Sequence, residues 1–211
     1  RNVYNTLIQL LRRESPWPDA HLLHRLDLET SGIILIAKNN AVARKYQSAL
    51  SRLIKRKIYH AIVHGEPVWK SLEYECDLST LSDSAIRCQM HKVADGEGKK
   101  SKTNFTVLDT FSEFSLIQCE LFTGRKHQIR AHLASLGHPI VGDKIYAHNG
   151  EMYLKRLELS LAEDDYATLL TDHHLLHAYE VHLDDGDSDH GETFVIQDTD
   201  FPQQWGRFTR P

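Results

Sequence analysis

The amino-acid sequence predicts an α+β fold, a largely antiparallel mixed sheet with helices on its flanks. Helix and strand patterns are mixed without the strict alternation that a doubly wound parallel sheet requires. Two aromatic-rich runs, Phe105–Phe111 and Phe114–Phe122, are separated by Ser112 and Glu113 alone, the spacing of an antiparallel hairpin. Of 211 residues, 41% are hydrophobic and 26% are charged, enough to bury a core. No apolar run nears the roughly 20 residues that cross a bilayer, so no membrane span is expected.

Val3, Leu7, Leu10 and Leu11 recur at helical spacing, which predicts an amphipathic helix over 3–14 that ends before Pro16 and Pro18. Ile33–Ala37 is wholly apolar and reads as one buried strand. Asn39 or Asn40 can cap a helix that carries Val42, Tyr46, Ala49, Leu50, Leu53 and Ile54 on one side. Ile58–Val63 reads as a strand stopped at Gly65 and Pro67, and 72–78 and 86–93 are weaker strand candidates. Asp95-Gly-Glu-Gly-Lys-Lys-Ser-Lys102 is polar and glycine-bearing, hence a loop. After the hairpin, a helix is expected over Lys126–Leu136 with Gly137 ending it. Leu175–Leu183 and Thr193–Ile196 read as final strands flanking the acidic loop Asp184–His190. No repeat or linker interrupts the chain, so 1–211 is expected to be a single domain.

The net charge of −4 conceals an uneven distribution. Residues 1–157 hold 23 Lys+Arg against 16 Asp+Glu, whereas residues 158–211 hold 2 against 13. No acid occurs between Glu29 and Glu66, where Lys38, Arg44, Lys45, Arg52, Lys55, Arg56 and Lys57 accumulate. A local basic surface is what phosphate binding requires, although 44–57 alone reads equally well as a solvated helix face. The acidic tail reads as a solvated face turned away from any polyanion. Three scattered cysteines, Cys76, Cys88 and Cys119, suit neither a disulfide framework nor a tetrathiolate site and lean toward a reducing, cytoplasmic compartment.

Chemistry concentrates in three places. In His24-Arg25-Leu26-Asp27, followed by Thr30-Ser31-Gly32, a carboxylate stands in a loop that leads into a buried segment. That placement suits a nucleophile or base, although most Arg–Asp neighbours are surface ion pairs of little energy. In Leu121-Phe-Thr-Gly-Arg-Lys-His-Gln-Ile-Arg130, Gly124 permits a tight turn, and Arg125 and Lys126 fall near a helix N-terminus. The helix dipole disfavours cations there, so they are expected to face an anion. Ile129, Leu133 and Leu136 form the packing stripe, so Arg130 lies beside the buried face and needs a partner. Lys57-Ile-Tyr59-His-Ala61 adds a phenol on a strand within the basic region.

These three segments, in this order, resemble the motifs of the RluA family of pseudouridine synthases, as do Leu136-Gly-His-Pro-Ile-Val-Gly-Asp143 and Leu176-His-Ala178. The likeness extends over about residues 20–197. It implies a pseudouridine synthase fold with a central cleft, and isomerisation of uridine in structured ribosomal or transfer RNA without metal or organic cofactor. Asp27 matches the essential Asp, which either attacks the anomeric carbon or takes the ribose 2′ proton to give a glycal. Arg130 matches the Arg paired with it, Tyr59 the residue packed on the target base and a catalytic candidate for moving a proton, and Ile129 the apolar residue on the base's other side. Arg25 matches an Arg that enters the RNA stack when the uridine flips out. His24, Arg125 and Lys126 are further substrate-binding candidates. The family's opening strand and Lys-Pro segment are missing ahead of Arg1, and sequence upstream is expected. A monomer is expected.

Two rival readings use the same residues. An idle RNA-binding protein would keep the basic stretch but has no need of Asp27. A metal-dependent hydrolase is prompted by 14 histidines, notably His21 with His24 and His173, His174 with His177. No His-Glu-x-x-His pattern supports it, and no metal is expected. Cys119, Asp143, Trp17, Trp69 and Trp205 read as packing or turn residues.

Overall fold

The computed structural model describes residues 6–184 and 193–208. Val3 and most of the acidic loop, 185–190, lie outside the described residues. Helix α1 (Leu7–Glu14) ends where Ser15 turns extended ahead of Pro16. Strands β1 (His21–Leu22), β2 (Ser31–Gly32) and β3 (Ile36–Ala37) follow. The apolar run 33–37 therefore does not form the single strand expected of it: β3 pairs with β1, while β2 pairs parallel with a later strand. The reason lies at Gly32, whose φ of +97° turns the chain and whose missing Cβ would stand 2.3 Å from the Ala178 carbonyl oxygen. Only glycine fits that backbone and that approach.

Asn39 caps helix α2 (Asn40–Gln47), its side chain accepting from the Val42 N–H at 2.9 Å. A short helix α3 (Leu50–Leu53) comes next, and Ile54 then starts strand β4 (Ile54–His64), so the expected helix breaks at Ser48 and Ala49. Strands β5 (Ser71–Ser79), β6 (His91–Val93), β7 (Lys99–Phe111) and β8 (Phe114–Leu121) form an antiparallel succession. The loop expected over 95–102 ends at Gly98; from Lys99 onward the chain pairs with β5. Its alternation was hidden because the inward residues, Ser101 and Thr103, are polar and wholly buried. They are satisfied there by His132 and Gln128 instead of by apolar neighbours.

Helix α4 (Gln128–Ser135) ends at Gly137, φ +86°, with the His138 N–H returning to the Leu133 carbonyl. Helices α5 (Glu151–Glu158), which buries no residue fully, and α6 (Glu163–Leu169) were not expected. Strands β9 (Leu176–Asp184) and β10 (Thr193–Gln197) close the sheet. Its order is β10-β9-β4-β8-β7-β5-β6, with β2 joined to β9 as the eighth strand. Every pairing except β2–β9 is antiparallel, as the sequence predicts. Ala61, Ile62 and Val63 of β4, Phe105, Ile117 and Leu133 are fully buried at the centre of the core. Because β4 is paired on both edges, with β9 and β8, a side chain on it is held rigidly, and Tyr59 is one of them.

Candidate active site

Asp27 sits on the loop between β1 and β2, and His24, Glu29, Thr30 and Ser31 around it are fastened. The Thr30 N–H bonds the Asp27 carbonyl at 3.1 Å. His24 Nε2 accepts from the Leu35 N–H at 3.0 Å, and burial pushes this imidazole below its usual pKa. The Thr30 hydroxyl meets His174 Nε2 and the Ser31 hydroxyl meets His177 Nδ1, each at 2.8 Å. Glu29 receives Lys144 Nζ on both oxygens at 3.0 Å and Arg156 at 3.2 Å. Since Lys144 is only 4% exposed, that pair anchors the loop to the chain after α4.

The partner that Arg130 needs is found twice over. From α4, its Nη1 donates to Asp27 Oδ2 at 2.9 Å, while Nε and Nη2 grip both oxygens of Asp143 at 2.6 and 2.9 Å. Arg130 is 5% exposed and Asp143 wholly buried. Burial opposes the Arg130 charge, but Asp143 and Asp27 more than offset it and raise its pKa. Burial likewise pushes the Asp143 carboxyl up, and Arg130 overrides it, holding Asp143 down at about 2. Asp143 also accepts from the Ile145 and Tyr146 N–H groups. Asp143 keeps its place in the turn and is also the bidentate partner that aims Arg130 at Asp27. Gly142 makes this possible, because at φ +79° a Cβ would lie 2.2 Å from Thr171 Oγ1.

A cleft of about 910 Å³ opens over Asp27, walled by the 22–27 loop, β4, and the segment joining β8 to α4. Tyr59 and Ile129 both line it, though Ile129, 4% exposed, is mainly a core residue. Burial, then the Asp27 charge, push the Tyr59 phenol up to about 12. Arg25, Arg125 and Lys57 line the cleft, and burial lowers the Lys57 pKa. Lys126 does not line it. Arg125 and Lys126 stand directly ahead of α4, which starts at Gln128 after a left-handed His127. Arg125 Nε is spent on the Lys100 carbonyl at 2.9 Å.

Part of the basic stretch is neutralised: Arg56 binds Glu120 at 2.6 Å, and Lys55 binds Asp184 at 3.0 Å. The acidic tail thus touches the cleft's own strand through Asp184, contrary to the expectation that it turns wholly away. Sequence reading also missed His127 and Tyr146, both beside Arg130. The one available signal for His127 was its place inside the third motif. Of the histidines that suggested metal, His24, His174 and His177 are committed to a backbone N–H or to hydroxyls, and no metal-ligating cluster of three occurs among the described residues. Cys119 is buried in the core, which raises its pKa and keeps it unreactive. Among the described residues no helix is long and apolar enough to cross a membrane.

Residues 2–135 match the family described as RNA pseudouridylate synthase, a span that includes Asp27, Tyr59 and Arg130. The chain is 35% identical over 161 residues to the dual-specificity RNA pseudouridine synthase RluA of Vibrio parahaemolyticus, covering 72% of this chain and 62% of that protein. It is 34% identical over 128 residues to ribosomal large subunit pseudouridine synthase D of Zymomonas mobilis, covering 61% and 39%. Among solved structures, human RNA pseudouridylate synthase domain containing 1 superposes with a TM-score of 0.68 at 25% identity, over 91% of this chain and 72% of that one. The chain thus spans between 39% and 62% of the length of the two bacterial relatives. Order of motifs, sheet topology and overall likeness agree: the chain belongs to the RNA pseudouridylate synthase family, as a member of the RluA type.

Proposed function

We propose that this chain is an RNA isomerase, a single catalytic domain acting as a cytoplasmic monomer that converts uridine to pseudouridine in ribosomal or transfer RNA, without metal or cofactor. The observation that carries the reading is the 2.9 Å contact between Asp27 and an Arg130 that is itself locked by Asp143. In the reaction the C1′–N1 bond breaks, the uracil turns, and a C1′–C5 bond forms; the C5 proton leaves and N1 gains one. Arg130 occupies Asp27 Oδ2, and Oδ1 carries no hydrogen bond to any described residue, so Oδ1 is the oxygen left to meet the ribose. Attack at C1′ and removal of the 2′ proton both use that oxygen.

Tyr59 and Ile129 both line the cleft, and they are the residues proposed to pack on the flat uracil. A uridine in a paired stem must leave its stack to reach Asp27, and Arg25, exposed on the same loop, is placed to fill the gap. Lys57 and Arg125 supply positive charge for the backbone. Incubating the protein with ribosomal and transfer RNA transcripts, then mapping pseudouridine, tests the reading. Site-specific conversion is expected; RNA binding with no conversion of any transcript would instead establish an RNA-binding protein on this fold.

A further inference from the structure

His127 also lines the cleft, beside Asp27 and Arg130. Its backbone is left-handed, φ 53° and ψ 21°, a conformation costing a non-glycine residue about 1–2 kcal/mol. This strain swings the imidazole toward Asp27: Nε2 lies 4.0 Å from Oδ2, the oxygen that Arg130 also holds. The ring's other nitrogen, Nδ1, is 3.1 Å from the Tyr146 hydroxyl. That hydroxyl accepts the Met90 N–H at 2.8 Å, so its own proton is free to point at Nδ1. A neutral ring receiving a bond at Nδ1 carries its proton on Nε2, the atom facing Asp27. Burial, then the neighbouring Arg130, hold this imidazole down at about 4, so the neutral form prevails near pH 7. Tyr146 is fixed in turn, its N–H on Asp143 at 3.1 Å and its ring 5.1 Å from the Arg130 guanidinium.

We propose that His127 is a positioning residue for Asp27, its Nε2–H aimed by Tyr146 at Oδ2, closing to a hydrogen bond when substrate fills the cleft. With Arg130 on the same oxygen, the carboxylate is pinned at Oδ2 and Oδ1 is presented to the ribose. At 4.0 Å the contact is too long for a hydrogen bond in the empty site, and catalytic contacts commonly tighten only with substrate bound. This role rests on the reading of Asp27 as the reacting group.

The test is kcat and KM on one RNA that the wild-type chain converts, for His127→Asn, His127→Gln and Tyr146→Phe. Asn tolerates the left-handed backbone and fills the Nδ1 end, but brings no N–H to Oδ2. It should lower kcat by about tenfold or more with KM little changed, as expected when orientation and not affinity is lost. Gln, whose amide reaches where Nε2 stood, should recover most of that loss. Tyr146→Phe keeps the ring under Arg130, removes the proton that sets the tautomer, and should also lower kcat. If His127→Asn fails to fold, Tyr146→Phe decides: reduced kcat supports the role and wild-type kcat overturns it. A wild-type kcat in His127→Asn, or a loss that Gln does not restore, overturns it as well. A wild-type chain that converts no RNA overturns the functional reading itself, and this role with it.

Discussion

Arg130 divides its donors between two carboxylates of unequal status. Asp143, wholly buried and gripped by two nitrogens, fixes the guanidinium; Asp27, on the cleft floor, receives the single remaining nitrogen. The division predicts two different failures. Arg130→Met should cut turnover about 100-fold or more while leaving RNA affinity within a few-fold, because a preorganised charge is lost at the reacting group. Equal losses in both would identify Arg130 as a phosphate anchor. Asp143→Asn leaves a buried guanidinium short of its partner and should cost about 3 kcal/mol, seen as a melting temperature lower by about 6–12 °C. The sequence names Asp27, Arg130 and Tyr59 through their motifs, but it leaves Asp143 as a turn residue. A hydrogen bond between residues 13 apart depends on how the chain turns at Gly142, which no local pattern reports.

That dependence on turns recurs among the elements. The hairpin of β7 and β8, the cap at Asn39 and the stop at Gly137 follow from local rules, and the structure has them where those rules place them. The elements that escape are those whose pattern is set by distant partners. Ser101 and Thr103 are buried polar residues made acceptable by α4, and β2 exists only because β9 lies close enough to pair with it. Gly142 offers a test at this scale. A Cβ there would meet Thr171 Oγ1 at 2.2 Å and the His173 carbonyl at 2.5 Å, so Gly142→Ala should destabilise by about 2–4 kcal/mol. Urea denaturation would show it as a lower midpoint at unchanged slope. Because the turn carries Asp143, turnover should fall as well; a variant of unaltered stability and turnover would contradict this account of the turn.

For the molecule as a whole, buried histidines set an acid limit. Burial holds His60, His132 and His174 at about 4, against an unfolded value of 6.5. Between those values the unfolded chain binds protons that the folded chain refuses, so stability is complete above pH 6.5 and falls as pH drops toward 4. The melting temperature should decline steadily from pH 7 to pH 5, by several degrees, and a flat profile would refute this. Charge sets a second whole-molecule property. With Arg56 and Lys55 neutralised by Glu120 and Asp184, the cleft cations left to meet phosphate are Arg25, Lys57 and Arg125. RNA affinity should therefore fall with salt at a log–log slope of about −2 to −3, far shallower than the basic stretch counted along the sequence would suggest.

On the proposed function, one carboxylate, Asp27, held by Arg130 from a later helix, is the group the isomerisation depends on. RNA labelled with tritium at uracil C5 measures it directly, because tritium leaves C5 only when the new carbon–carbon bond has formed. The wild-type chain should release tritium stoichiometrically with the pseudouridine formed, and Asp27→Asn should release none while binding the same RNA with an affinity within a few-fold of wild type. Release at the wild-type rate from the Asp27→Asn protein would contradict the account.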